Sequence, residues 1–105
     1  MLKINPDRLF SPDEVQAKRE QLLSIIMDSI KQVTELESGY QLRFSPKNED
    51  LVLLSDWIQA ERMCNPFLRF QMAAESNNGP LTCDMSGPSG TKYFLTSSLG
   101  LNRWL

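Results

Sequence analysis

Apolar residues recur along this chain at two different spacings, and the spacing predicts where helices and strands lie. Between residues 12 and 32 they return every three or four positions, as they do on one face of a helix. Ser11, Pro12 and Glu14 precede this stripe with a capping hydroxyl, a proline suited to the first turn and a carboxylate that reaches back. The pattern predicts an amphipathic helix over residues 12–32. Its apolar stripe consists of Val15, Leu22, Leu23, Ile26, Met27, Ile30 and Val33.

The next segment alternates between apolar and polar residues, which is typical of strands with one buried face. Two short alternating runs meet at Ser38 and Gly39, and they predict a hairpin with a two-residue turn over residues 33–44. In the second run Tyr40 and Leu42 share one face, while polar residues take the other. We therefore expect a sheet with one solvated side.

The middle of the chain predicts the most buried helix and a second hairpin. Residues 51–60 are apolar around more than half of a helix, and that helix must end before Pro66. Residues 67–75 and 81–86 form two strand-like runs, and the polar, glycine-containing residues 76–80 between them predict a turn. The two runs are expected to pair as antiparallel strands.

A glycine- and proline-containing break at residues 87–90 precedes a short closing helix over residues 91–99. The resulting order is α-ββ-α-ββ-α. It predicts an α+β fold of two layers, a four-stranded antiparallel sheet with helices on one face. We expect a single domain over residues 11–100, between an N-terminal arm of residues 1–10 and a C-terminal tail of residues 101–105.

Composition and charge narrow the classes of protein. The chain has 105 residues and a net charge of −2, with its basic residues scattered, so nucleic-acid binding is not expected. No apolar run approaches the ~20 residues that span a bilayer. The N-terminus lacks the apolar core of a signal peptide. These features predict no membrane partner and a cytoplasmic location, where the two cysteines would be free thiols.

The chain contains no histidine. That removes the commonest general base and the commonest metal ligand, and no complete catalytic motif replaces it. We expect a non-catalytic domain without a cofactor that binds an unidentified protein or small ligand, as a monomer or weak homodimer. The alternative is a protein dependent on a soft metal or on a thiol.

That alternative depends on Glu61 and Cys64. They lie three positions apart near a helix end and share a face, so a carboxylate and a thiolate there suit a soft cation. The structural interpretation is stronger, because Cys64 continues the apolar stripe of Trp57 and would fill the core as a small residue. Glu61 would then pair with Arg62 or Arg69, or bond backbone groups.

A second candidate surface lies near the end of the chain. Gly87, Ser89 and Gly90 precede a helix and can present backbone N–H groups to an anion, with Lys92 nearby. Glycine loops of this kind also commonly end strands, and the spacing of a phosphate-binding loop is missing. Trp104 adds an aromatic ring that either packs back onto the core or belongs to a partner surface.

The segment from Glu61 to Phe70 resembles a motif in a family of small bacterial proteins that read Glu-Arg-x-Cys-Cys-Pro-Phe-x-x-Phe. The resemblance extends to residues 39–44 and 87–95 and implies the same order of elements over residues 12–99. The family brings no established activity. This chain departs from the pattern at Asn65, where the family has its second cysteine, so a paired-thiol metal or redox site loses half of its ligands here.

Overall fold

The computed structural model describes residues 12–105 and confirms the predicted α+β fold and the order α-ββ-α-ββ-α. The predicted arm of residues 1–10 and the Ser11 cap lie outside the described residues. The elements in chain order are α1 (Pro12–Ser29), β1 (Ile30–Glu35), β2 (Gly39–Phe44), α2 (Asn48–Cys64), β3 (Arg69–Ala74), β4 (Leu81–Ser86), α3 (Thr91–Ser97) and a closing 3-10 turn (Leu101–Trp104).

The four strands form one antiparallel sheet in the order β1-β2-β4-β3. The two hairpins join along β2 and β4, so β1 and β3 are the edges. Leu42 on β2 lies in register with Val33 on β1 and with Cys83 on β4. Leu42 and Cys83 are fully buried, and they mark the face of the sheet that packs against the core.

The helix α1 ends at Ser29, so the predicted helix end at residue 32 is wrong. The prediction failed because β1 contains a bulge. Ile30 pairs with Phe44 and Val33 with Leu42, and the extra residue between Ile30 and Gln32 shifts the register. Because of the bulge, Ile30 and Val33, which are three positions apart in the sequence, lie on the same face of the strand. Three-residue spacing is also helical, which is why the pattern favoured a longer helix.

Gly39 is the first residue of β2 and does not belong to a two-residue turn. Residues 36–38 connect the strands, and the Leu36 N–H donates to the Gly39 carbonyl at 2.9 Å. Gly39 is needed for a close approach, since a Cβ there would overlap the carbonyl oxygen of Met85 on the neighbouring strand. The predicted turn at residues 76–80 is confirmed, with Asn77 and Asn78 at positive φ.

The core lies between the sheet and the two long helices, with Trp57 of α2 fully buried at its centre. The ring of Trp57 meets Phe70 of β3 edge to face, with centroids 5.9 Å apart. Leu101 is also fully buried, so the 3-10 turn packs back onto the same core. None of the helices within residues 12–105 is long and apolar enough to cross a membrane.

Candidate ligand-binding groove

Glu61 is fully buried and belongs to an ion pair between the two long helices. The Nε–H of Arg19 on α1 donates to both carboxylate oxygens of Glu61, at 3.2 and 3.1 Å. The side-chain amide of Asn65 donates to Oε1 at 2.6 Å. The partner is therefore Arg19 rather than Arg62 or Arg69. These bonds occupy the carboxylate, and Asn65, where the family motif has a cysteine, is one of its donors.

Cys64 fills the core only in part, because it is half-buried at the end of α2 while Trp57 lies deep inside. Burial raises the pKa of the Cys64 thiol, and the negative charge of Glu61 raises it further. Cys83 is fully buried, which raises its pKa to about 12. Neither thiol is in a disulfide. Residues 12–105 hold no cluster of three His, Cys, Asp or Glu side chains able to share a metal ion.

The glycine loop and Lys92 come together around a small hollow of about 160 Å³. Gly90 is at φ 95° and leads into α3, which has only seven residues. The Lys92 ammonium lies 2.6 Å from a carboxylate oxygen of Glu35 on β1 and 5.8 Å from the centre of the Tyr40 ring. The cation is thus already paired. The hollow is lined by Glu37, Ser38, Gly87, Pro88, Ser89, Gly90, Thr91 and Lys92.

Trp104 does not line that hollow. It is half-buried, packs against the edge of the core, and has the guanidinium of Arg103 4.1 Å from the centre of its ring. The structure therefore separates Trp104 from the other residues of the predicted surface.

A larger groove of about 700 Å³ runs between α1 and α2. The helices are antiparallel neighbours, because Val15 near the start of α1 meets Cys64 at the end of α2, and Ser29 meets Asp50 near its start. Residues at helical spacing on each helix form the two walls. The lining consists of Leu22, Ile25 and Ser29 from α1 and Glu49, Asp50, Val52, Leu53 and Asp56 from α2.

Asp56 is the unusual residue of this groove. Its side chain is buried, and no donor within residues 12–105 reaches its Oδ2 oxygen. Leaving a carboxylate oxygen buried without a hydrogen bond destabilises the folded chain by about 1–3 kcal/mol or more. A group that supplies a donor to Asp56 would therefore be bound with a favourable free energy.

The other two acids of the groove have a structural explanation. Glu49 and Asp50 occupy the first turn of α2, where negative charge compensates the positive end of the helix dipole. Asp56 lies two turns further on, beyond the reach of that effect. The helix dipole does not explain its position.

Asp56 was not among the functional residues that the sequence predicted. The available signal was a carboxylate inside the apolar run of residues 51–60. A charged residue there is buried only if it has a partner or a ligand. The sequence could not show that α1 leaves a groove beside it.

Comparison of the chain with protein-family models, curated proteins and solved structures finds no match. The likeness of residues 61–70 to the small bacterial proteins therefore stays a prediction.

Proposed function

We propose that this protein is a non-catalytic binding domain of the cytoplasm, and that the groove between α1 and α2 binds a small molecule with an apolar body and a cationic amine. The observation that supports this proposal is the buried Asp56, whose Oδ2 has no hydrogen-bond partner within residues 12–105, beside the aliphatic side chains that line the groove.

The walls supply the apolar part of the site. Ile25 from α1 is 47% exposed and Val52 from α2 is 39% exposed, and both line the groove. Covering them would contribute about 25 cal/mol for each Å² of apolar surface removed from water. A volume of about 700 Å³ is in the usual range for small-molecule sites.

The charged side chains of the groove indicate which polar group the ligand carries. Among residues 12–105, the lining contains the carboxylates of Glu49, Asp50 and Asp56 and no lysine or arginine. An anionic ligand would meet three like charges, and a neutral ligand would leave the field of the carboxylates uncompensated. An ammonium group supplies both a positive charge and hydrogen-bond donors, so it complements Asp56 best.

Two further observations bear on the proposal. Both cysteines are free, which fits a reducing compartment such as the cytoplasm. The alternative of a metal or thiol site at Glu61 and Cys64 is disfavoured, because Arg19 and Asn65 already occupy the Glu61 carboxylate.

The test compares three probes of equal length by isothermal titration calorimetry: hexylammonium, hexanol and hexanoate. We expect hexylammonium to bind most tightly and hexanoate not to bind. Equal binding of hexylammonium and hexanoate, or no binding of hexylammonium, would contradict the proposal.

The variant Asp56→Asn tests whether hexylammonium binds at Asp56. We expect it to weaken hexylammonium binding by about 10- to 100-fold, as is typical of the loss of a charged hydrogen bond. Asp28→Asn makes the same change of charge on the exposed side of α1, outside the groove, and should leave binding within twofold. Equal loss in both variants would show general attraction to a negative surface instead of a site.

A further inference from the structure

The strand β3 is an edge of the sheet with a neighbour, β4, on one side only among the described strands. Five of its six residues are exposed, and Met72 at its centre is 43% exposed. Proteins usually protect such an edge with a proline, a lysine or a bulge. This strand contains no proline or lysine, and its register with β4 is regular throughout.

The direction of the free backbone groups follows from one hydrogen bond. The N–H of Glu75, just after β3, donates to the carbonyl of Pro80 at 3.2 Å. Backbone groups alternate in direction along a strand, so the odd-numbered residues of β3 face β4. The N–H and C=O groups of Phe70, Met72 and Ala74 therefore face outward, away from the sheet.

This alternation restricts how a second strand can be added. When two copies of β3 pair antiparallel about a twofold axis, outward-facing residues must face outward-facing residues, so the numbers of each facing pair have an even sum. Three central registers satisfy this condition. They place Met72 opposite Phe70, Met72 or Ala74 of the other copy.

The charged side chains at the two ends of β3 favour one of these three registers. Arg69 and Glu75 are exposed, and neither has an ion-pair partner within residues 12–105. Only the register that places Met72 opposite itself brings Arg69 of each copy opposite Glu75 of the other. Opposite charges at facing positions of an antiparallel pair are stabilising.

We propose that two copies of this chain associate through β3, antiparallel about a twofold axis at Met72, to form a continuous eight-stranded sheet. Phe70, Met72 and Ala74 of both copies then form one apolar cluster on the helix-bearing face, where Phe70 already contacts Trp57. Two Arg69–Glu75 pairs lie on the opposite face of the sheet, one on each side of the twofold axis. This association is independent of ligand binding in the groove.

Sedimentation velocity over a concentration series tests the proposal. The parent chain should shift from monomer to dimer as concentration rises. Arg69→Glu should weaken dimerisation at least tenfold because it places like charges opposite each other, and Arg69→Glu with Glu75→Arg should restore it. Lys31→Glu on the opposite edge strand makes the same change of charge and should leave dimerisation unchanged.

Hydrogen exchange gives a second measurement on the same samples. The outward amides of Phe70, Met72 and Ala74 should exchange more slowly as the parent dimerises and should not respond to concentration in Arg69→Glu. A parent chain that stays monomeric at every concentration would overturn the proposal. A double variant that fails to recover while keeping the parent's circular dichroism spectrum would overturn the register.

Discussion

At the scale of single residues, the ion pair of Arg19 and Glu61 joins the first half of α1 to the last turn of α2. Both side chains are buried. Burial opposes the charge of Arg19, but the hydrogen bonds and negative charges of Glu61 and Glu20 outweigh that effect and raise the pKa of Arg19. Glu61 depends on this pair, because without Arg19 its carboxylate would be buried with no compensating charge within residues 12–105, whereas Arg19 also contacts Glu20 at 2.7 Å.

We therefore expect Arg19→Met to lower the free energy of unfolding by about 3 kcal/mol. This variant leaves the Glu61 carboxylate with Asn65 as its remaining side-chain donor. The double variant Arg19→Met with Glu61→Leu should be more stable than Arg19→Met alone, since it removes both charges. Urea unfolding of the parent, Arg19→Met, Glu61→Leu and the double variant measures the coupling, and a double variant that loses the sum of the two single losses would contradict it.

At the scale of elements, the close approach of β2 and β4 at Gly39 decides how the two hairpins join. We expect Gly39→Ala to lower the free energy of unfolding by about 2 kcal/mol, because the added methyl group overlaps the Met85 carbonyl and forces the strands apart. Ser38→Ala is the matched control. Ser38 is exposed, so its loss should stay within about 0.5 kcal/mol in the same urea measurement.

The sequence predicted these elements well where one periodicity dominated. The strand β4 and the turn before it matched the prediction because buried and polar residues alternate there without interruption. The end of α1 did not match, since the bulge in β1 gives Ile30 and Val33 a helical spacing.

The Arg19–Glu61 ion pair and the groove at Asp56 could not be predicted from the sequence, because both depend on contacts between distant segments. Arg19 and Glu61 are 42 residues apart, and Asp56 has a groove only because α1 packs beside α2.

At the scale of the whole molecule, the buried thiol of Cys83 couples the stability of the core to alkaline pH. Its pKa is raised from 9.0 to about 12, so the unfolded chain ionises first as the pH rises. The stability that this group contributes is complete below about pH 9 and is lost as the pH rises toward 12.

The free energy of unfolding should therefore fall more steeply with pH in the parent than in Cys83→Ala. The difference should amount to about 1 kcal/mol between pH 9 and pH 10. Urea unfolding of both proteins at pH 8, 9 and 10 measures how steeply the free energy of unfolding falls with pH in each. Loss of the sulfur atom in Cys83→Ala changes the free energy of unfolding by the same amount at every pH, so it does not affect this comparison. Parallel curves would contradict the assignment.

The bulge in β1 also bears on how far association can proceed. A sheet that adds copies at both edges grows without limit, whereas one with a single open edge stops at two. Lys31, the inserted residue, is exposed and interrupts the regular ladder on the far edge. On the association proposed above, β3 pairs with a second copy while the bulge leaves β1 without a regular ladder, so we expect strand addition to end at the dimer and not to extend into fibres.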